Sequence, residues 1–249
     1  MLGPFALAFA VLLAPPQLRL EIDGVEAGQF ASFGRGTAPN IVTLRGRFGE
    51  LSTAFSRQLT QMMRGKGTAA TATMVDLGSG VRRTMTGMWI SKVSFSSLDA
   101  SSESPAHVTV ALKYETLDKP AGKAPAAVSA AKTVGSEQAE RKSHFSVIVG
   151  GLPCDRVSKV DAFSIEQKIV DGVRTVDLSD IGLTIDAADL EPWQAAIGTK
   201  GERTGTITIG DGEHSCTVGL TINQVVSAEK RGAHGRVTLA ATANGFRCR

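Results

Sequence analysis

Four histidines and three cysteines are the side chains of this 249-residue sequence best suited to general-base, nucleophile or metal-ligand chemistry. His107, His144, His214 and His234 are scattered, three of them in the second half. Cys154, Cys216 and Cys248 are as widely spaced. Neither set has the spacing of a zinc module or the count of a disulfide framework. No triad, carboxylate dyad or metal set stands out, so no catalytic, cofactor-binding or metal-ligating residue is assigned, no cofactor is expected, and the chain is expected not to be an enzyme. His107 heads a strand pattern after Pro105 and reads as a strand-end residue. The cysteines are expected to be packing residues, the usual role of a free thiol in a small β domain. If the chain is exported, a Cys154–Cys248 bridge would join the first and last strands of the second half.

Other polar groups have a local explanation. Arg64-Gly-Lys-Gly-Thr68 lacks the spacing of a phosphate loop and follows a helical pattern where such a loop precedes one, so it reads as a helix stop. Gly34-Arg-Gly36 follows a strand, but no helix starts there. The pairs Asp76 and Asp99, and Asp177 and Asp180, sit at turns, where a carboxylate bonds its own backbone. Arg82-Arg83 and Lys230-Arg231 read as solvated pairs at turns.

The elements that carry these groups are mostly strands. Hydrophobic residues make up 42% and charged residues 20%, a globular balance, with 27 glycines and few aromatics. A formal net charge of +3 does not indicate a broad nucleic-acid-binding face. No apolar run reaches the roughly 18 residues of a membrane-spanning helix, so stable membrane insertion is not expected. Residues 1–14, MLGPFALAFAVLLA, have the length of a signal-peptide core but no preceding Lys or Arg. Residues 1–17 therefore read as a leader or extension, with export if 1–14 is a signal peptide.

The strongest pattern is an internal repeat. Aligned on Gly24 and Gly151, apolar residues coincide at Leu20/Val147, Ile22/Val149, Val25/Leu152, Phe30/Val157 and Phe33/Val160. Each half opens as an alternating strand, a glycine turn and a second strand. Leu51, Phe55, Leu59 and Met62 form one stripe of a helix over 50–63 that stops at Gly65. A shorter helix over 189–198 matches it, with Asp189 as N-cap and Pro192 in the first turn. Three strand segments then agree in order: Thr71–Asp76 with Thr204–Asp211, Trp89–Phe95 with Thr221–Ser227, and His107–Tyr114 with Arg236–Ala243. Between the halves, 119–143 is rich in Ala, Lys, Ser and Gly and reads as a linker, with a fraying helix over 124–132. The domain plan is thus residues 18–118, linker 119–143, and residues 144–249.

Leu20-Glu-Ile-Asp-Gly-Val-Glu-Ala-Gly-Gln-Phe-Ala-Ser-Phe33, the helix ending in Met63-Arg-Gly-Lys-Gly67, and Trp89 to Leu117 resemble the tail tube proteins of contractile phages and related injection systems. The resemblance covers residues 18–118 and reaches the second half only through the repeat. It departs from the family in carrying two domains and an apolar leader. It implies a mainly β fold of two tandem antiparallel β-sandwich or barrel domains, each with one flanking helix. It implies self-association into rings that stack as a hollow tube, and a virion or tail-like particle as location. Three tandem chains would make a pseudo-hexameric ring. Sheath, baseplate or spike proteins would be the partners, and DNA or protein the cargo of the lumen. A different class of function, an exported β-domain binding or scaffold module outside any tail, rests on the leader alone.

Overall fold

The computed structural model describes residues 17–36, 38–67, 69–118, 144–171, 173–199, 201–210 and 214–249. The leader over 1–16 and the linker over 119–143, with its expected helix, lie outside the described residues. The chain is mainly β, with antiparallel sheets.

The first half runs β1 (Leu18–Ile22), β2 (Val25–Phe30), β3 (Ser32–Arg35), β4 (Ile41–Arg47), a one-turn 3-10 helix (Phe48–Glu50), α1 (Thr53–Met63), β5 (Ala70–Asp76), β6 (Arg82–Phe95), β7 (Leu98–Asp99), β8 (His107–Lys113) and β9 (Thr116–Leu117). Asp23 and Gly24 both have positive φ, which gives the β1–β2 hairpin the turn twist that matches its strands. Ser52 caps α1, its hydroxyl accepting from the Ala54 and Phe55 amides. Gly65, at φ +65°, ends it: the Gly65 N–H bonds the Met62 carbonyl and the Lys66 N–H bonds that of Gln61. Phe55, Leu59 and Met62 are buried, as their spacing requires.

The second half runs β10 (His144–Val149), β11 (Val157–Val160), β12 (Phe163–Val170), β13 (Val173–Leu178), β14 (Ile181–Asp186), a 3-10 turn (Ala187–Asp189), α2 (Leu190–Ala195), β15 (Arg203–Gly210), β16 (Ser215–Arg231) and β17 (His234–Cys248). Its opening departs from the expected hairpin. Only a single bridge, Val149 to Leu152, stands where β2 pairs with β1, and β11 pairs with β14 instead of returning on β10. Asp189 occupies the N-cap of α2 without capping it, because its carboxylate is bound by the Arg156 guanidinium. Asp186 caps the preceding 3-10 turn.

The two halves share an order of strands. Setting β2 aside, the first half orders its strands β1-β5-β6-β8-β4-β3, and the second β10-β15-β16-β17-β14-β11. Each position in one list is filled by the matching strand in the other. Register is compatible with the pairings read from sequence: Leu44 faces Val110 as Ile181 faces Leu239, and Val93 faces Val110 as Val225 faces Leu239. The ladders are bulged unequally: β16–β17 shifts register at three places, β6–β8 at one.

β6 bends from one sheet into another. Its first part pairs with β5 and β9, its last part with β8 and β12. The corner is Gly87, at φ +61°, where a Cβ would lie 2.5 Å from the Glu115 side chain.

The halves fold against each other. β12 and β13 form an arm that leaves the second half and adds to β6, with Phe163 opposite Phe95 and Glu166 opposite Lys92. In return β7 adds to β11, Leu98 opposite Val160. Phe95 stacks on Phe163 at 4.5 Å between ring centroids and on Phe48 at 5.8 Å, and Phe246 lies 6.3 Å from Phe95 and 6.4 Å from Phe55. Buried side chains of both halves consequently form one continuous hydrophobic cluster.

Candidate functional site

The residues with potential chemistry are placed apart. His107 starts β8, His144 starts β10, His234 starts β17, and His214 precedes β16. Among the described residues, no group of three His, Cys, Asp or Glu side chains is arranged to hold a metal ion. Burial, and then the positive charge of Arg45, push the His107 imidazole below its ordinary range. Asp76 accepts from the Gly78 and Ser79 amides, and the Ser79 amide bond leads in holding its carboxyl below the usual value. Asp99 accepts from the amide and hydroxyl of Ser101. Asp177 pairs with Lys168 across the arm, 2.9 Å apart. Asp180 lies between β13 and β14. Arg82 pairs with Glu21, Arg83 lies over the Phe33 ring, and Arg231 pairs with Glu229.

The expected cysteine arrangement is corrected. Cys216 and Cys248 form a disulfide, because the β16–β17 register sets them directly opposite each other. Cys154, in the turn after β10, is the free one. Burial raises its thiol pKa most, with Asp155 and Asp189 pushing the same way, so it is held as the unreactive thiol.

The seam between the halves carries an open groove of about 630 Å³ beside α1. Arg57, Arg64, Lys66 and Arg247 surround a floor that includes Phe246 and the disulfide residue Cys248. Of its three hydroxyls, those of Thr60 and Ser56 are committed to backbone. The Thr60 hydroxyl donates to the Phe246 carbonyl and accepts from the Phe246 amide, and Ser56 Oγ donates to the Ser52 carbonyl and accepts from the Cys248 amide. Among the described residues no histidine or carboxylate lines the groove, so neither hydroxyl has a neighbouring base there to activate it. These hydrogen bonds fasten the last strand of the second half onto the helix of the first.

The more informative surfaces are strand edges. Among the described residues, β3, β10 and β13 each pair with a strand on one side only. All four residues of β3 are exposed, including Phe33. Beyond Ile222, no strand among the described residues pairs with β16 on its β15 side; α2 packs there, the Ile197–Val225 bridge follows it, and the Gln194 amide donates to the Ala228 carbonyl. Such edges are aggregation sites unless they are blocked or used.

The contact between the halves is head-to-tail. The first half contributes β6, β7, the Phe48–Glu50 turn and α1. The second contributes β11, β12, the start of β16 and the end of β17. These are not equivalent elements of the repeat: β6 corresponds to β16, and β3 to β11. The sequence alone did not reveal this joint, although Asp171-Gly172 between two alternating runs is a hairpin signal for the arm. No protein-family model matches the chain, and no curated protein matches it.

Proposed function

We propose that the chain is a structural subunit of a ring or hollow tube in a phage tail or tail-like injection particle, with two tandem copies of the tail-tube fold and three chains in a pseudo-hexameric ring. The observation that carries this reading is the head-to-tail joint between halves of matching strand order. A contact between unlike surfaces of like units leaves one of each surface open, and its repetition makes a ring when the rotation closes and a filament when it does not. Closing a ring would also occupy strand edges that are a liability on an isolated chain. Function in this reading is assembly: self-association, stacking, contact with sheath, baseplate or spike proteins, and a lumen for DNA or protein cargo.

The test is electron microscopy and light scattering of the purified full chain. Threefold rings with six lobes, or tubes built from them, are the expected result. A monomer at high concentration refutes the reading. The disulfide favours a second reading, an exported β-domain binding or scaffold module, since such bonds persist mainly in oxidising compartments. Amino-terminal sequencing of the mature protein that finds cleavage after the apolar run, on a particle that is monomeric, would establish that alternative.

A further inference from the structure

The joint inside the chain is a template for the joint between chains. Its first-half side is built from the Phe48–Glu50 turn, α1 and the last part of β6. The corresponding elements of the second half are the Ala187–Asp189 turn, α2 and the last part of β16. Its second-half side is built from β11, the start of β16 and the end of β17, which correspond to β3, the start of β6 and β9 in the first half. Among the described residues, neither corresponding surface pairs with a strand of the other half.

We infer that these two surfaces bind each other between copies of this chain: the α2 and late-β16 surface of one copy against the β3 and β5–β6-turn surface of the next. The inference rests on the ring reading and adds which residues close the ring. Two observations support it beyond the correspondence. Each surface exposes large apolar side chains that a monomer has no use for: Ile197 at 42% and Val226 at 44% on one, Phe33 at 46% and Leu77 at 43% on the other. Charge is complementary as well. On the α2 and late-β16 surface Asp186, Asp189, Glu191 and Glu229 outnumber Arg156, Lys230 and Arg231 by one, and around β3 and the β5–β6 turn Arg35, Arg45, Arg82 and Arg83 outnumber Glu21 and Asp76 by two, the Arg45 Nε buried without a hydrogen-bond partner.

The new joint differs from the internal one in a defined way. The arm that fills the β6 edge sits between β11 and β14, and the matching place in the first half is the short connection between β3 and β4. β7 likewise has no counterpart, since β16 turns directly into β17. The joint between chains therefore lacks the arm and is the weaker of the two.

The test uses the full chain with Phe33→Asp or Val226→Asp, both at exposed positions, and Ile148→Asp as a control on the far edge strand β10. Wild type and control are expected to run as the same closed oligomer in light scattering. Each interface variant is expected to dissociate at least tenfold more readily, with unchanged circular dichroism. Mixing the two interface variants should yield dimers and nothing larger, because each chain keeps one good surface. If either aspartate variant misfolds, Phe33→Ser and Val226→Ser take its place. An oligomeric wild type whose size neither variant changes overturns these surfaces and leaves the ring reading standing. A monomeric wild type overturns both.

Discussion

Replacing Phe95 by alanine tests whether the two halves are one energetic unit. The ring is 1% exposed and lies within 4.5 to 6.3 Å, centroid to centroid, of Phe163, Phe48 and Phe246. Removing a buried phenyl group costs about 4 kcal/mol from lost transfer energy and the cavity left behind. With a urea slope of about 3 kcal/mol/M for a chain of this size, the midpoint should fall by about 1.3 M. The decisive readout is Trp193, which is fully buried in the second half, followed by fluorescence in a Trp89→Phe background. Although Phe95 belongs to the first half, the Trp193 transition should shift as far as the far-UV circular dichroism transition, and the two should coincide with and without the substitution. A Trp193 midpoint unmoved by Phe95→Ala, or two separated transitions in the unsubstituted protein, would refute the shared core.

Reduction of the Cys216–Cys248 bond, which closes a separation of 32 residues, should cost about 4 kcal/mol, read as a lower urea midpoint with reductant present. Ser52→Ala should cost about 1 kcal/mol in thermal unfolding, since the hydroxyl caps α1 and also donates to the Glu26 carbonyl. The folded state holds the His107 imidazole below its ordinary range, so the unfolded chain takes up the proton first as pH falls. Stability should therefore decline from about pH 6.5 downward until the folded imidazole also titrates, and His107→Gln should flatten that decline in a series of thermal midpoints. Glu50 is pushed up by burial against the opposing Arg47 amide bond, so its contribution is lost as pH rises through its folded value. Glu50→Gln should then raise the midpoint at neutral pH relative to pH 4.

Local structure was legible where the code is local. Asp23-Gly24 marks a hairpin, the Phe55, Leu59 and Met62 spacing marks a helix face, and Gly65 marks its end. Strands β4, β12, β13 and β14 carried no reading from sequence, so the strand order that the two halves share comes from the structure. Register depends on bulges: the buried Ile222, Val225 and Ala228 of β16 fall three apart, where unbroken alternation would set them two or four apart. The cysteine pair was missed for the same reason: only register places Cys216 opposite Cys248. The arm was hidden differently. Its alternation and its Asp171-Gly172 turn are visible, but the edge it seeks, Lys92 to Phe95, lies far off in sequence and carries no mark of its partner. The surfaces that matter for assembly depend on which strand ends are left over, a property of the finished fold.

The arm also fixes what can be taken apart. Severing the chain anywhere in 119–143 would free two fragments, one with a bare β6 edge and Phe95 facing water, the other with Phe163 on an unsupported hairpin. Each fragment would be short of a neighbour it has never had to find by diffusion, since the tether supplies it at an effective concentration in the millimolar range or above. A gene encoding either half alone should accordingly give insoluble product, and co-expression of the two should rescue it.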